Sequence, residues 1–306
     1  MRNTFIKTLC ELAATHEDIF LLCGDLGYSV LEPFAAQFPD RFLNVGIAEQ
    51  NMTQVAAGLA REGYNVFTYS IGNFPTLRCM EQLRYDVCYH DASVKVVAVG
   101  AGYAYGPQGV SHHATEDIAM LRAIPNMTVC APADPVEARA AAHYMATHRG
   151  PGYVRINKAG EPAIHDSSQA LAIAPGQLIR MREGRAGSGS AVLTTGAILG
   201  HVLAEVDARQ LGFAVYSCPF VGNYDTALFK QLATEFDTII TVEEHQLNGG
   251  FGSSVIEVMS DLYAGGGIAR MPKVERVGIP NRFIGESGSQ DHLRRVSGLS
   301  LARFGH

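Results

Sequence analysis

The chain lacks the features that mark several large classes of protein. It carries no dense run of Lys or Arg, and its net charge is −6, which argues against nucleic acid or an anionic membrane as a partner. No apolar stretch reaches the roughly 18 residues of a membrane span, and the N-terminal residues have no signal-peptide core. With 306 residues, 47% of them hydrophobic and 18% charged, the composition predicts a well-packed globular protein of about two domains.

Cysteines are few, and none is paired in a Cys-x-x-Cys motif. They lie in apolar strand or helix contexts, where a reduced thiol packs as a small hydrophobic group. The six are Cys10, Cys23, Cys79, Cys88, Cys130 and Cys218. We therefore expect free thiols in a cytoplasmic protein, without a disulfide framework and without a zinc site.

Helical and strand patterns alternate through the first half of the chain. Apolar runs predict strands at 18–23, 65–69, 94–99, 127–131 and 153–156. Helical periodicity predicts helices at 3–15, 49–61 and 76–90, and another that begins at Pro135 with Asp134 as its N-cap. Because the run at 94–99 is continuously apolar, the alternation indicates a mostly parallel sheet with helices on both faces.

A stretch rich in Gly and Pro, 160–190, interrupts this alternation, and a second α/β unit follows it. The second unit has predicted strands at 191–195, 213–217, 238–243 and 274–278, and helices near 198–210, 225–235, 252–262 and 291–296. We therefore predict an α/β protein of two doubly wound domains, 1–170 and a smaller 190–306, joined by a linker at 171–189. Part of the interrupting stretch is expected to form a strand that approaches the second sheet.

The most informative segment places one carboxylate at the start of an amphipathic helix. Residues 46–52, Gly-Ile-Ala-Glu-Gln-Asn-Met, follow a short apolar strand that ends near Val45. The apolar face of the helix begins at Met52, so Glu49 lies at the edge of that face and can point into a crevice at the strand ends. A Glu in a first turn also stabilises the helix dipole by about 0.3–1 kcal/mol, and position alone leaves both interpretations open.

Three glycine-bearing segments follow predicted strands. The segment 100–106 resembles a loosened dinucleotide fingerprint, but no helix begins after it to hold a pyrophosphate, so a loop that approaches a ligand closely is favoured. The segment 24–27 has Leu in place of the last Gly of a Gly-Asp-Gly motif for magnesium diphosphate, so Asp25 is expected to hydrogen-bond its own loop. The segment 249–252 is either an anion-binding nest at a helix start or a tight turn.

Two adjacent histidines, His112 and His113, lie in the loop 109–117. Such a pair can bind a metal, move protons or lie at the surface. No third ligand with metal spacing is nearby, so a zinc site is not expected. The position of the loop after a buried strand favours function over packing.

Five segments occur in an order that is typical of one enzyme family. They lie at 44–52, 106–112, 121–127, 131–134 and 241–245. Together they resemble the C-terminal half of transketolases, which consists of a pyrimidine-binding domain followed by a C-terminal domain, and the resemblance covers nearly the whole chain. The segments 46–50 and 124–127 also occur in 1-deoxyxylulose 5-phosphate synthase, and the beta subunit of pyruvate dehydrogenase is a more distant relative.

The resemblance implies thiamine diphosphate as the cofactor. By this resemblance, Glu49 bonds a pyrimidine nitrogen and so drives the tautomer that deprotonates the thiazolium carbon, and Phe74 stacks on the pyrimidine. Phe74 can equally be a core residue, since stacking adds only about 0.5–1.5 kcal/mol to burial. Gln50 and Ile71 are expected beside the cofactor, and Ile71 replaces an aromatic residue of many relatives. Mg²⁺ is expected to be bound mainly by a partner subunit, so no residue of this chain is assigned to a metal.

The resemblance also implies a substrate site. His112 matches the family histidine that contacts the substrate oxygen and moves protons. Arg2 and Arg155 match positions that hold the phosphate of an acceptor, a group that a guanidinium fork suits. Asp25 and His113 are further residues that we expect to contact the substrate.

Two departures from the family pattern bear on the substrate. Gln108 stands where the family often has an Asp that binds a substrate hydroxyl, and Gly100 stands where it often has a His that binds the terminal hydroxyl of the donor. Tyr103 and Tyr105 lie in the same altered loop. These differences leave cofactor activation intact, but they predict a donor or acceptor other than the ordinary pentose phosphates.

The resemblance finally implies a partner. A chain that begins at this domain resembles the second subunit of a split transketolase, which transfers a two-carbon ketol unit from a ketose to an aldose. We expect a separate diphosphate-binding subunit and an α2β2 assembly that contains a self-dimer of this chain. The alternatives are the beta subunit of a 2-oxo acid decarboxylating complex, acyl transfer as in 1-deoxyxylulose 5-phosphate synthase, and a non-catalytic relative. Retention of Glu49, Phe74 and His112 argues against the last.

Overall fold

The first half of the chain alternates strands and helices in the computed structural model, which describes residues 1–304. Its strands are β1 (Ile19–Cys23), β2 (Phe42–Asn44), β3 (Asn65–Ile71), β4 (Val94–Val99), β5 (Thr128–Cys130) and β6 (Gly152–Ile156). Its helices are α1 (Arg2–Ala13), α2 (Glu32–Gln37), α3 (Glu49–Arg61), α4 (Met80–Gln82), α5 (Asp117–Arg122) and α6 (Pro135–Thr147). A 3-10 turn at Leu77–Cys79 and a π-helical turn at Leu83–Cys88 flank α4, where the sequence predicts one continuous helix.

The second half repeats this alternation. Its strands are β7 (Ile179–Arg182), β8 (Ser190–Thr194), β9 (Ala214–Ser217), β10 (Phe220–Val221), β11 (Thr238–Gln246) and β12 (Lys273–Ile279). Its helices are α7 (Ile198–Ala208), α8 (Thr226–Glu235), α9 (Phe251–Ala264) and α10 (Gln290–Val296). The predicted second unit is therefore present, with each of its predicted strands and helices close to the expected position.

The strands form two mostly parallel sheets, which confirms the predicted α/β class. The first has seven strands in the order β10-β5-β6-β4-β3-β1-β2, and the second has five in the order β12-β11-β8-β9-β7. Only β10 and β7 pair antiparallel to their neighbours, β5 and β9. In parallel sheets of this kind, ligands bind beyond the carboxyl ends of the strands.

Two helix starts follow from local chemistry. Helix α6 begins at Pro135 because the Asp134 side chain accepts a hydrogen bond from the backbone N–H of Glu137 at 2.8 Å, as predicted. Helix α3 begins at Glu49 itself, and Met52 and Ala56 on its inner face are buried against the first sheet. The negative charge of Glu49 therefore lies at the positive end of the helix dipole.

The interior explains the cysteine pattern. All six cysteines are buried and free, so each thiol packs as a small hydrophobic group, as predicted.

Among residues 1–304, none of the helices combines the length and apolar character needed to cross a membrane.

The segment between the two units is only partly a connector. Strand β7 lies within the predicted linker 171–189 and pairs antiparallel with β9 of the second sheet. Before it, the Met1 amino group lies 2.8 Å from Glu161 Oε2, and the backbone N–H groups of Ile164 and His165 donate to Asp134 Oδ2. The connector is thereby held against the first unit.

Candidate active site

The candidate site lies where the loops after β1, β2, β3 and β4 meet. A Cβ placed on Gly24, which directly follows β1, would lie 3.7 Å from Cγ of Glu49. A Cβ on Gly72, which directly follows β3, would lie 2.8 Å from the Ala114 Cβ in the histidine loop. The glycines therefore allow these loops to approach one another at the carboxyl edge of the sheet.

Glu49 lies beside Gly24, at the carboxyl end of β1. Its side chain is only 2% exposed, and Oε2 accepts a hydrogen bond from Nη1 of Arg78 at 3.0 Å. Arg78 lies in the 3-10 turn that follows Phe74 by one helical turn. The Glu49 carboxylate thus lies both at a helix start and beside the carboxyl end of β1, so the two interpretations of the sequence are compatible.

Phe74 and His112 form the wall beside Glu49. The centroids of the two rings are 5.4 Å apart in an edge-to-face arrangement, and the Arg78 guanidinium carbon lies 5.1 Å from the Phe74 centroid. The Ser111 Oγ lies 3.0 Å from Nδ1 of His112 and fixes the ring at that nitrogen, which leaves Nε2 for another partner. Arg78 therefore contacts both Glu49 and Phe74, and His112 lies against the Phe74 ring.

Tyr105 completes the wall by filling the space beside Gly100. A Cβ on Gly100 would lie 2.3 Å from Cδ2 of Tyr105, and the φ of Gly100 is +102°, a conformation that favours glycine. The Tyr105 ring also lies edge-on to His112, with centroids 6.4 Å apart. Tyr105 thus occupies the volume into which any side chain at position 100 would extend.

We expect Gly100→Ala to lower the free energy of unfolding by about 1–3 kcal/mol, because the new methyl group meets the Tyr105 ring and φ is positive. Gly58→Ala in α3 is the matched control, since its added Cβ has no neighbour within 4 Å, and it should be neutral or stabilising by up to about 1 kcal/mol. Urea unfolding of both variants measures the difference. Equal stability of Gly100→Ala and wild type would show that Tyr105 does not hold this position.

His113, unlike His112, is buried. Its side chain is buried, its ring lies edge-to-face on Tyr103 with centroids 5.0 Å apart, and no hydrogen-bond partner of Nε2 lies among residues 1–304. Burial lowers the pKa of His113, which favours the neutral ring. It lines a small cavity with Gln246, Arg282 and Phe283 of the second unit, and its predicted contact with substrate stays a prediction.

Arg155 lies inside the protein, and its predicted role in holding a phosphate stays a prediction. It is only 3% exposed, and its Nε donates to Asp117 Oδ2 at 2.7 Å. Its Nη2 donates to the carbonyl oxygens of Ala114 at 2.7 Å and Glu244 at 3.0 Å. The guanidinium therefore ties β6 to the histidine loop and to β11 of the second sheet, and it is already neutralised.

Asp25, Gln50, Gln108 and Ile71 are the next residues that the resemblance places at the site. Asp25 Oδ1 accepts from Asn44 Nδ2 at 3.0 Å, and the backbone N–H of Asp25 donates to Asn44 Oδ1, so Asp25 closes its own loop as expected. Gln50 and Gln108 are exposed and Ile71 is half-buried. Their roles stay predictions.

Arg2 lies near Tyr69 of β3. It is half-buried at the start of α1, and its Nε donates to Asn3 Oδ1 at 3.2 Å. Burial raises the pKa of Tyr69, and the nearby Arg2 guanidinium opposes that rise. A role for Arg2 in phosphate binding stays a prediction.

The glycine segment 249–252 proves to hold an anion of the protein itself. The carboxylate of Glu243 accepts from the backbone N–H groups of Phe251 at 2.6 Å and Gly252 at 2.9 Å, at the start of α9. Burial raises the pKa of Glu243 to about 7. This nest is therefore filled by the chain and is not open to a phosphate.

Two features of the site are not evident from the sequence. The contacts of Arg78 with Glu49 and Phe74 and the contact of Tyr105 with Gly100 both depend on tertiary folding. For Arg78 one local signal exists, because it lies four residues after Phe74, the spacing of one helical turn. Among residues 1–304, no group of three or more His, Cys, Asp or Glu side chains could hold a metal ion.

Family comparison identifies both units. The model of the transketolase pyrimidine binding domain matches residues 1–160, and that of the transketolase C-terminal domain matches residues 180–303. The fold is similar to a solved split gene transketolase, in an inactive beta4 tetramer, with a TM-score of 0.83 and 32% identity over 98% of this chain and 93% of the other.

Three curated relatives resemble the chain over most of their lengths. A putative transketolase C-terminal section of Methanocaldococcus jannaschii is 34% identical over 98% of this chain and 92% of its own. A subunit of the apulose-4-phosphate transketolase of Actinobacillus succinogenes is 33% identical over 88% and 84%. The 6-deoxy-6-sulfo-D-fructose transketolase subunit SqwH of Clostridium sp. is 32% identical over 98% and 90%. With both domains matched, this chain belongs to the transketolase family.

Proposed function

We propose that this chain is the second subunit of a split, thiamine diphosphate-dependent transketolase, which transfers a two-carbon ketol unit from a ketose donor to an aldose acceptor. The observation that carries the proposal is the buried Glu49 carboxylate beside Phe74 and His112 at the carboxyl edge of the sheet. In this proposal, 1–170 is the pyrimidine-binding domain and 190–306 is the C-terminal domain.

The residues present fit the aminopyrimidine of the cofactor. Glu49 offers a buried carboxylate oxygen to a ring nitrogen, and Phe74 offers an aromatic face beside it. When bound, thiamine diphosphate supplies an ionisable thiazolium carbon that accepts the two-carbon unit. Glu49 holds a proton at the pyrimidine nitrogen. Gln50 follows Glu49 in α3, and Ile71, the last residue of β3, accepts a backbone hydrogen bond from Phe74, so both lie beside the proposed ring.

His112 acts on the substrate in this proposal. Because Ser111 holds its Nδ1, Nε2 is the atom that holds or moves a proton at a substrate hydroxyl. The Tyr105 ring in the space beside Gly100 narrows the site next to His112. Together with Gln108 in the same loop, this shape supports a sugar other than an ordinary pentose phosphate, bound with contacts from Arg2, Asp25 and His113.

The diphosphate and Mg²⁺ are held by a separate protein chain in this proposal. Support comes from the relatives named as a transketolase subunit and as a C-terminal section, which match this chain over 84% and 92% of their lengths. Apolar side chains beside the site residues are exposed: Ile47 is 78% exposed, Leu77 48% and Val110 53%. A partner surface that covers these apolar residues fits an α2β2 heterotetramer. The buried free thiols fit the cytoplasm, where thiols stay reduced.

Reconstitution tests the proposal. We expect the chain and its diphosphate-binding partner to show no ketol transfer when each is assayed alone with thiamine diphosphate and Mg²⁺, and to show transfer to a panel of aldoses when they are co-purified. Full activity of the chain alone would contradict the split arrangement. Release of CO₂ from pyruvate by the complex without ketol transfer would instead indicate the beta subunit of a 2-oxo acid decarboxylating enzyme.

A further inference from the structure

The guanidinium of Arg78 lies between the two residues that fit the pyrimidine. Its Nη1 donates to Glu49 Oε2 at 3.0 Å, and its carbon lies 5.1 Å from the centroid of Phe74. Glu49 is 2% exposed, and Arg78 is its only salt-bridge partner among residues 1–304. One planar cation therefore occupies both contacts at once.

A guanidinium and a protonated aminopyrimidine share the chemistry that these contacts recognise. Both are flat, both offer an N–H group to a carboxylate, and both can lie against an aromatic ring. Glu49 Oε2 and the covered area of Phe74 cannot serve the two groups simultaneously. The ring can therefore bond Oε2 and cover this area of Phe74 only after the arginine has moved.

We propose that Arg78 occupies the pyrimidine position in the cofactor-free chain and leaves it when the cofactor ring enters; this rests on the proposed function. Glu49 needs a partner in the cofactor-free chain, because a buried carboxylate without one is strongly destabilising. Arg78 can also leave, since its side chain is 50% exposed and its long stem reaches solvent. The short 3-10 turn that carries it, Leu77–Cys79, precedes a π-helical turn at Leu83–Cys88, and irregular helical turns of this kind often mark hinges.

Because the cofactor must displace Arg78, wild type should bind thiamine diphosphate more weakly than a variant without this side chain. We expect Arg78→Ala to bind thiamine diphosphate about threefold to tenfold more tightly in the two-subunit complex, because a larger fraction of sites is open. Equilibrium dialysis of radiolabelled thiamine diphosphate with Mg²⁺ measures this. The cofactor-free Arg78→Ala chain should also melt at a lower temperature than wild type, because Glu49 has lost its counterion.

Arg84 provides the matched control. It lies on the same irregular helix and covers the Tyr85 ring at 4.7 Å, but it is exposed and has no salt bridge among residues 1–304. Arg84→Ala should change neither the cofactor affinity nor the melting temperature of the chain. Arg78→Lys retains the charge without the planar fork, and its cofactor affinity should lie between those of wild type and Arg78→Ala.

A double-mutant cycle separates this inference from the proposed function. In a Glu49→Gln background the tightening caused by Arg78→Ala should disappear, because the amide no longer attracts the guanidinium. If Arg78→Ala binds the cofactor as wild type does, or more weakly, Arg78 does not compete with the pyrimidine for its position. The proposed function would still stand in that case. If neither wild type nor any variant binds thiamine diphosphate in the complex, the proposed function itself fails.

Discussion

Glu49→Gln is expected to lower the turnover of the two-subunit enzyme by about 10²–10⁴-fold, the range of a lost acid–base contribution. The amide keeps the size of the side chain but cannot share a proton with the pyrimidine nitrogen. Because the site otherwise stays intact, the variant should still assemble with its partner. Initial rates of ketol transfer at saturating thiamine diphosphate measure the effect.

The same chemical change at Glu62 provides the control. Glu62 directly follows the helix that Glu49 begins, and its side chain is exposed, so Glu62→Gln should leave turnover unchanged. Unchanged turnover in Glu49→Gln or Glu49→Ala would contradict a catalytic role and favour the interpretation of the chain as a non-catalytic relative.

Asp117→Ala is expected to lower the free energy of unfolding by about 3–5 kcal/mol, because it leaves the buried Arg155 guanidinium without a counterion. Asp117 and Arg155 are 2.7 Å apart, and both side chains are nearly inaccessible to solvent. Tyr153 also donates to the same carboxylate oxygen, so the substitution removes a second buried hydrogen bond. Urea unfolding followed by circular dichroism gives the difference from wild type.

An exposed ion pair provides the control for this change in stability. Asp18 lies 2.7 Å from Arg149, with side chains 34% and 59% exposed, so Asp18→Ala should cost at most about 1 kcal/mol. A stable Asp117→Ala chain whose only defect is a raised KM for a phosphorylated acceptor would support the phosphate role that the sequence predicts for Arg155.

The sequence predicts those parts of the fold whose signals are local. The continuous apolar run of β4, the capped start of α6 and the apolar face of α3 each reflect backbone or side-chain preferences within a few residues, and each lies where expected. Helices α2 and α5 are not predicted, since six residues hold too few turns for a clear period.

For the candidate site, the resemblance predicts which residues lie together, but their roles stay predictions. The family resemblance selects Glu49, Phe74 and His112, and the fold brings these three together although they are distant in the chain. The internal contacts of Arg155 are not predictable, because one of them is made with β11, a strand of the other sheet. The spacing of Arg78 from Phe74 is a local signal, but its contact with Glu49 is not predictable from the sequence, since it depends on a carboxylate in another helix.

Strand β10 has a consequence for how a nascent chain matures. The edge strand β5 of the first sheet is completed only by Phe220 and Val221, which pair with Val129 and Cys130. Translation delivers the N-terminal unit first, so the backbone edge of β5 has no strand beside it on that side until β10 has been synthesised and has left the ribosome. An unpaired edge is a template for pairing with other chains. The edge of the first sheet is therefore protected from pairing with other chains only when part of the second unit has left the exit tunnel.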